Sequence, residues 1–291
     1  MKKIGLIFLL LSATIPWPAL SEDNVQKIEY KLVQDKPYYE PDTPNMTEYQ
    51  QERCKLDISY PENGKDLPVI VWFHGGGLTG GNKSIPTGLK EKGYVVIAVN
   101  YRLSPQVKTP VCIEDATAAI AWTFKHASEY GGSPDKIFIS GHSAGGYLVL
   151  MVGLQKKWLA KYDIDANKLA GIVPFSGHTI THMTTRKEMG IPDKQPIVDE
   201  MAPLYHVRGD TSQILLITGD REKEMLGRYE ENAYLLRMLK LNGNKNCTLY
   251  ELQGYGHGMV TPGIPLLLDF IKKTYAEKDK DKVKDDKGAQ K

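Results

Sequence analysis

The stretch KIFISGHSAGGYLVLMVGL, residues 136–154, decides the fold. Its first half, around Ile137, Phe138 and Ile139, has the β-branched and aromatic residues of a buried strand. Its second half, from Ala144 to Leu154, is apolar without a proline and reads as a helix. Between the two lies Ser143, with Gly141 and Gly145 at the spacing G-x-S-x-G and Gly146 beyond. A strand that passes straight into a helix at a serine strains the serine backbone, exposes its hydroxyl, and needs small neighbours where the chain packs on itself. The helix behind the serine also aims backbone N–H groups and a positive dipole end at any negative charge forming there. Glycine and serine are common, so the strand before and the helix after carry the reading.

Working outward, apolar runs bounded by turn residues alternate with segments of helical period. LPVIVWFHGGG (67–77), GYVVIAVNYR (93–102), LAGIVPFSG (169–177), QILLITGD (213–220) and CTLYELQG (247–254) read as strands. IEDATAAIAWTFKHASEYGG (113–132), RYEENAYLLRMLKLNG (228–243) and PLLLDFIKKTY (265–275) read as helices, two of them closing on glycine. Strands alternating with helices predict an α/β fold with a mostly parallel sheet and helices on both faces. KLDISYP (55–61) alternates as an edge strand should, and residues 21–47 read as an extended polar arm. Residues 178–203, rich in Thr, Met and Pro, are long for a loop and predict a lid-like insertion. The tail 277–291 alternates Lys with Asp and predicts disorder.

The chemistry extends beyond Ser143. His74-Gly75-Gly76-Gly77 closes the first long strand, and bare glycines let backbone amides approach a substrate closely. The N–H groups of Gly76 and Gly77, with that of Ala144 after the serine, form the expected oxyanion hole. A phosphate-binding loop is the competing reading, and neither the Walker lysine pattern nor a G-x-G-x-x-G before a helix is present.

The combination of H-G-G-G, NYRLSP (100–105) and the segment from Glu114 to Gly146 resembles the α/β-hydrolase fold, in its carboxylesterase and hormone-sensitive-lipase-like branch. The likeness covers the chain from about Leu56 to the last helix. It implies a serine hydrolase of carboxylic esters with triad order serine, acid, histidine, needing no metal and no organic cofactor. His257, in the glycine-flanked GYGHGMV (254–260), then follows as general base; His142, His178, His182 and His206 have weaker cases, His142 being expected to point away from the site. The acid is Glu222 or Asp220, both just after QILLITG; family position favours Glu222, with Glu224 assigned to the first turn of the next helix. Asp115, Tyr101 and Arg102 read as bracing.

The likeness extends to secreted acetyl-xylan and feruloyl esterases, which implies acetyl or feruloyl esters of plant polysaccharides among small-molecule or polysaccharide-linked substrates. A general short-chain carboxylesterase, an aryl-formamidase or amidase, and, more remotely, a non-catalytic binding module on the same scaffold are the alternatives. Lys2 and Lys3 before the apolar run Ile4–Leu11, with Ala19-Leu20-Ser21 ahead of Glu22, read as a secretory signal cut after Ser21. An uncleaved anchor is disfavoured by the short run and by Pro16 and Pro18. The expectation is therefore a signal peptide over 1–21, a catalytic domain over 22–276, a secreted or periplasmic location and no stable membrane span. With 41% hydrophobic and 25% charged residues the chain has the composition of a globular protein, and a net charge of +2 offers nothing to a nucleic acid. Cys54, Cys112 and Cys247 show no zinc-site spacing and read as small buried hydrophobes, with one disulfide open.

Overall fold

The computed structural model describes residues 28–225 and 227–288; the expected signal segment over 1–21 with its expected cleavage site, and the last three residues, lie outside them. Eight strands form one sheet: β1 (Tyr30–Pro37), β2 (Lys55–Pro61), β3 (Leu67–Phe73), β4 (Val95–Val99), β5 (Gly132–His142), β6 (Gly171–Phe175), β7 (Gln213–Gly219) and β8 (Cys247–Leu252). The helices are α1 (Glu48–Arg53), α2 (Thr109–His126), α3 (Ala144–Leu154), α4 (Lys157–Ala160), α5 (Met183–Glu188), α6 (Arg228–Leu241) and α7 (Val260–Gly288).

The strand order is β1-β2-β4-β3-β5-β6-β7-β8, antiparallel across the first two pairs and parallel from β4 onward. Side chains alternate across the sheet, and both faces are covered. Along β3, Val71 and Phe73 join the core beneath α2 and α3, whereas Ile70 and Trp72 join the core beneath α7. This double burial is why the strands read as unbroken apolar runs instead of alternating ones. Every residue of α3 is buried, so that helix is apolar on all sides.

Register places the strand ends that matter side by side. Phe73 pairs with Gly141, and His142 pairs with Phe175. The loop leaving β3, the turn leaving β5 and the start of the segment leaving β6 therefore meet at the carboxyl edge of the sheet, where open α/β sheets bind ligands.

Two expectations change at the ends of the chain. KLDISYP is not the edge strand, because β1 pairs with it on the outside. Six of the eight β1 residues are exposed, so that strand has no apolar alternation by which the sequence could reveal it. The segment expected to be a disordered tail continues α7 as far as Gly288; from Leu266 to Lys287 no glycine or proline interrupts a run rich in lysine. All three cysteines are buried free thiols, pushed up from their ordinary value by burial.

One buried ion pair ties the antiparallel end of the molecule to the parallel part. Asp115, fully buried on α2, accepts from Arg102 Nε at 2.8 Å, Arg102 Nη2 at 2.6 Å and the Arg102 backbone N–H at 2.9 Å. The Tyr39 hydroxyl donates to the same carboxylate at 2.8 Å. Removing one partner strands the other charge, so Asp115→Ala is expected to lower the unfolding free energy by about 3–5 kcal/mol, measured by urea denaturation. A loss below ~1 kcal/mol would mean that the pair does not brace the fold.

Candidate active site

Ser143 has φ 55° and ψ −113°, a left-handed backbone at a residue with a side chain. Its N–H donates to the Phe175 carbonyl at 2.8 Å, and α3 begins at the next residue. Gly145 is held so tightly that a methyl group there would stand 2.1 Å from the Phe73 carbonyl oxygen. That contact presses the first turn of α3 against the end of β3 and fixes how the turn carries the serine.

The loop after β3 lies against the same residue. A methyl group added to Gly75 would come within 3.3 Å of Ser143 Cβ. Gly76 has φ 113°, and its carbonyl accepts from the N–H groups of Thr79 and Gly80, both at 3.0 Å. The N–H groups of Gly76 and Gly77 donate to no described residue, which leaves two backbone donors free in the loop whose Gly75 lies against the serine. Thr184 Oγ1 donates to the Gly77 carbonyl and anchors the loop to α5. His74 serves as support: its ring stacks on Tyr101 with centroids 4.5 Å apart, and the Tyr101 hydroxyl donates to the His74 carbonyl at 2.9 Å. Burial holds the His74 imidazole down at about 4, so it is neutral at ordinary pH.

His257 stands in the loop between β8 and α7. Its Nδ1 lies 2.6 Å from Oε1 of Glu224, the carboxylate that the sequence reading assigned to a helix. Neither Glu222 nor Asp220 occupies that place. Glu222 is exposed and its carboxylate bonds to no described residue. Asp220 accepts from the N–H groups of Glu222 at 3.0 Å and Gly254 at 2.8 Å, tying the turn after β7 to the loop that carries His257. Those two bonds hold its carboxyl below the usual range. Arg221 pairs with Glu251 instead.

The physical reason for the correction is where the helix starts. Gly227, with φ 73°, caps α6 and Arg228 opens it, so Glu230 and Glu231 are the acidic residues of its first turn. Residues 220–224 form a turn in which the Glu224 N–H returns to the Asp220 carbonyl at 2.8 Å. This turn swings the Glu224 side chain inward until it is fully buried. Gly227 was the available signal that the helix begins later.

Burial pushes the Glu224 carboxyl up, but His257, the Met225 N–H and the Ser176 hydroxyl outweigh it and hold the group at about 2. Ser176, absent from the sequence reading, donates from Oγ to Glu224 Oε2 at 2.8 Å and lies 3.1 Å from His257 Nδ1. An ionised Glu224 fixes the proton of His257 on Nδ1 and leaves Nε2 with the basic lone pair. His142 does not point away: its Nε2 donates to the His257 carbonyl at 2.7 Å, with the two rings 4.7 Å apart. Burial and the neighbouring His257 hold it at about 4, so it positions the loop as a neutral ring.

The other histidines are engaged elsewhere. His178 pairs with Glu231, His182 caps α5 through the Thr184 N–H, and His206 donates to the Glu200 carbonyl. The insertion expected over 178–203 starts as a packed wall, with Thr179, Thr181, His182, Thr184 and Thr185 all buried. Among the described residues no group of three His, Cys, Asp or Glu could hold a metal ion, and no helix is long and apolar enough to cross a membrane.

A mostly parallel sheet with a serine at the turn after β5, an acid after β7 and a histidine after β8 defines an α/β-hydrolase fold. Residues 56–228, more than half of the chain, match the family model BD-FAE, and the chain belongs to that family. A probable carboxylic ester hydrolase, LipM, of Mycobacterium tuberculosis is 30% identical over 56% of this chain and 47% of its own length. An acetyl esterase of Salmonella schwarzengrund is 29% identical over 56% of this chain and 52% of its own. The chain thus spans about half the length of the curated relatives it matches. Among solved structures, a truncated carbohydrate esterase from gut microbiota shares the fold with a TM-score of 0.70, at 21% identity over 85% of this chain and 97% of that one. Esterase 2 of Thermogutta terrifontis does so with a TM-score of 0.63, at 22% identity over 89% and 97%.

The Glu224 carboxyl yields a pH test. Its folded value lies below its ordinary 4.5, so the stability it contributes is present above that value and is lost as pH falls toward about 2. The stability difference between wild type and Glu224→Gln is expected to shrink between about pH 5 and about pH 2, followed by urea denaturation. A difference that stays constant across that window would contradict the assigned contacts.

Proposed function

We propose that the protein is a serine esterase that cleaves carboxylic esters through an acyl-serine intermediate. The observation that carries this reading is the 2.6 Å contact between His257 Nδ1 and Glu224, made in the loop that the Ser143 turn touches through His142. Ser143 Oγ attacks the ester carbonyl carbon while His257 Nε2 takes its proton. The charge left on the carbonyl oxygen faces the free N–H groups of Gly76 and Gly77 and the helix end at Ala144. Glu224 stabilises the imidazolium that forms. His257 then returns the proton to the departing alcohol, and a water repeats the sequence on the acyl-serine to release the acid.

The substrates we propose are short acyl esters, with acetyl or feruloyl groups on plant polysaccharides as the natural class. The names of the relatives support ester chemistry, and the gut carbohydrate esterase supports a saccharide-linked ester. Lys2, Lys3 and the apolar run after them support export to the periplasm or medium.

Initial rates on p-nitrophenyl acetate, butyrate and decanoate, methyl ferulate and acetylated xylan test this reading. Ser143→Ala is expected to lower kcat by about 10,000-fold or more, and Glu224→Gln by about 1,000-fold, because the members of a triad act as a unit. Glu222→Gln is expected to stay within about two-fold of wild type, as an exposed residue away from the reacting atoms should. Full activity in Ser143→Ala would sink the assignment, and a larger loss in Glu222→Gln than in Glu224→Gln would move the acid. Activity confined to decanoate would replace the polysaccharide class with lipid esters.

A further inference from the structure

A cavity of about 770 Å³ opens between the segment leaving β6 and the start of α6. Its walls include His178, Met183 and Arg186 on one side and Glu224, Met225 and Arg228 on the other. Two guanidinium groups therefore line it, and both belong to buried residues, Arg186 at 4% and Arg228 at 2% exposure. Each makes a single hydrogen bond, from Nη1 to a backbone carbonyl: Arg186 to Gln195 at 2.6 Å and Arg228 to Ser176. The Nε–H of each has no partner, and neither guanidinium forms an ion pair with a described carboxylate. Buried cations are ordinarily paired, so two unpaired ones on a single cavity require an explanation.

Glu224 and Glu231 offset the Arg228 charge through space, but neither bonds to it or to Arg186. Glu224 is committed to His257, Ser176 and the N–H groups of Gly219 and Met225. Glu231 is committed to His178 Nδ1 at 2.9 Å and the Thr179 N–H at 3.0 Å. Glu230 and Asp193 are exposed. His178 gives its Nδ1 proton to Glu231, and its Nε2 is likewise without a partner. Burial, opposed by Glu231 and Glu224 but reinforced by Arg186, lowers the Arg228 guanidinium from its ordinary value. Lys194, which is exposed, also lines the cavity, so three cations face it, and the two buried ones each keep an Nη2 that bonds to no described residue.

The cavity also connects to the proposed triad through Glu224, which lines it. Arg228 holds the Ser176 carbonyl, and the Ser176 hydroxyl touches both Glu224 and His257. We propose that this cavity is a carboxylate-binding subsite, in which Arg186 and Arg228 hold an ionised carboxyl group carried by the ester substrate. Guanidinium donors match a carboxylate in charge and in planar geometry, and the Nη2 groups of both arginines bond to no described residue, whereas their Nε–H groups are sealed from the cavity. The proposal rests on the esterase reading and narrows it to esters bearing a second, free acid group.

The test compares matched esters on both sides of the scissile bond. On the acyl side p-nitrophenyl hydrogen adipate is set against p-nitrophenyl hexanoate; on the alcohol side 3-acetoxybenzoate is set against 3-methylphenyl acetate. In at least one pair the wild type is expected to favour the anion by about ten-fold in kcat/KM, and Arg186→Gln to reduce that preference to about two-fold or less. A neutral ester that is as good in both pairs, or a preference that survives Arg186→Gln, would overturn the proposal while leaving the esterase reading intact. Hydrolysis of none of the four would instead remove the esterase reading. Calorimetry on Ser143→Ala with the same four compounds needs neither arginine altered and does not depend on turnover or on the folding of Arg186→Gln. Tighter binding of an anion than of its neutral partner supports the subsite, and equal binding in both pairs rejects it.

Discussion

At the end of β5 the chain turns so tightly that Gly145 lies against the carbonyl of Phe73, where even a methyl group would stand 2.1 Å from the oxygen. The rest of the site depends on that approach. It locks the first turn of α3 to the end of β3, and Ser143 between them takes a left-handed backbone that a side chain ordinarily avoids. The same approach brings the glycine loop after β3 to the flank of the serine. The proposed nucleophile and its proposed backbone donors are thus placed by one steric constraint, with no flexible side chain needed to align them.

A second layer keeps the glycine loop from moving. Tyr101 stacks on His74 and donates to its carbonyl, and the adjacent Arg102 is clamped by Asp115 in the body of α2. On the other flank Ser176, itself at φ 51°, sets its hydroxyl between Glu224 and His257 while its carbonyl accepts from Arg228. The polar groups around the imidazole therefore form a chain from α6 to the loop after β8. Preorganisation of this kind favours a charged transition state, because the dipoles do not reorient when charge appears.

What the sequence made legible follows from the same physics. The turn around Ser143, the glycines after β3 and the histidine after β8 have local signatures: a buried strand meeting a helix, a strand closing on glycines, and a histidine between glycines. The acid has none. Glu222, Glu224 and Asp220 lie within five residues, and which one turns inward depends on a turn closed by backbone hydrogen bonds and on Gly227 delaying α6. Ser176 and the orientation of His142 were hidden for a related reason, since each matters through contacts with residues dozens of positions away. β1 escaped notice because an exposed edge strand carries little hydrophobic pattern.

In the proposed triad with His257 and Glu224, Ser143 is the nucleophile. Incubation with a fluorophosphonate, followed by intact-mass and peptide mass spectrometry, tests it without choosing a substrate. A single phosphonyl group per chain is expected, located on Ser143, absent in Ser143→Ala and formed much more slowly in Glu224→Gln than in Glu222→Gln. An unlabelled wild type, or a label on any other residue, would contradict it.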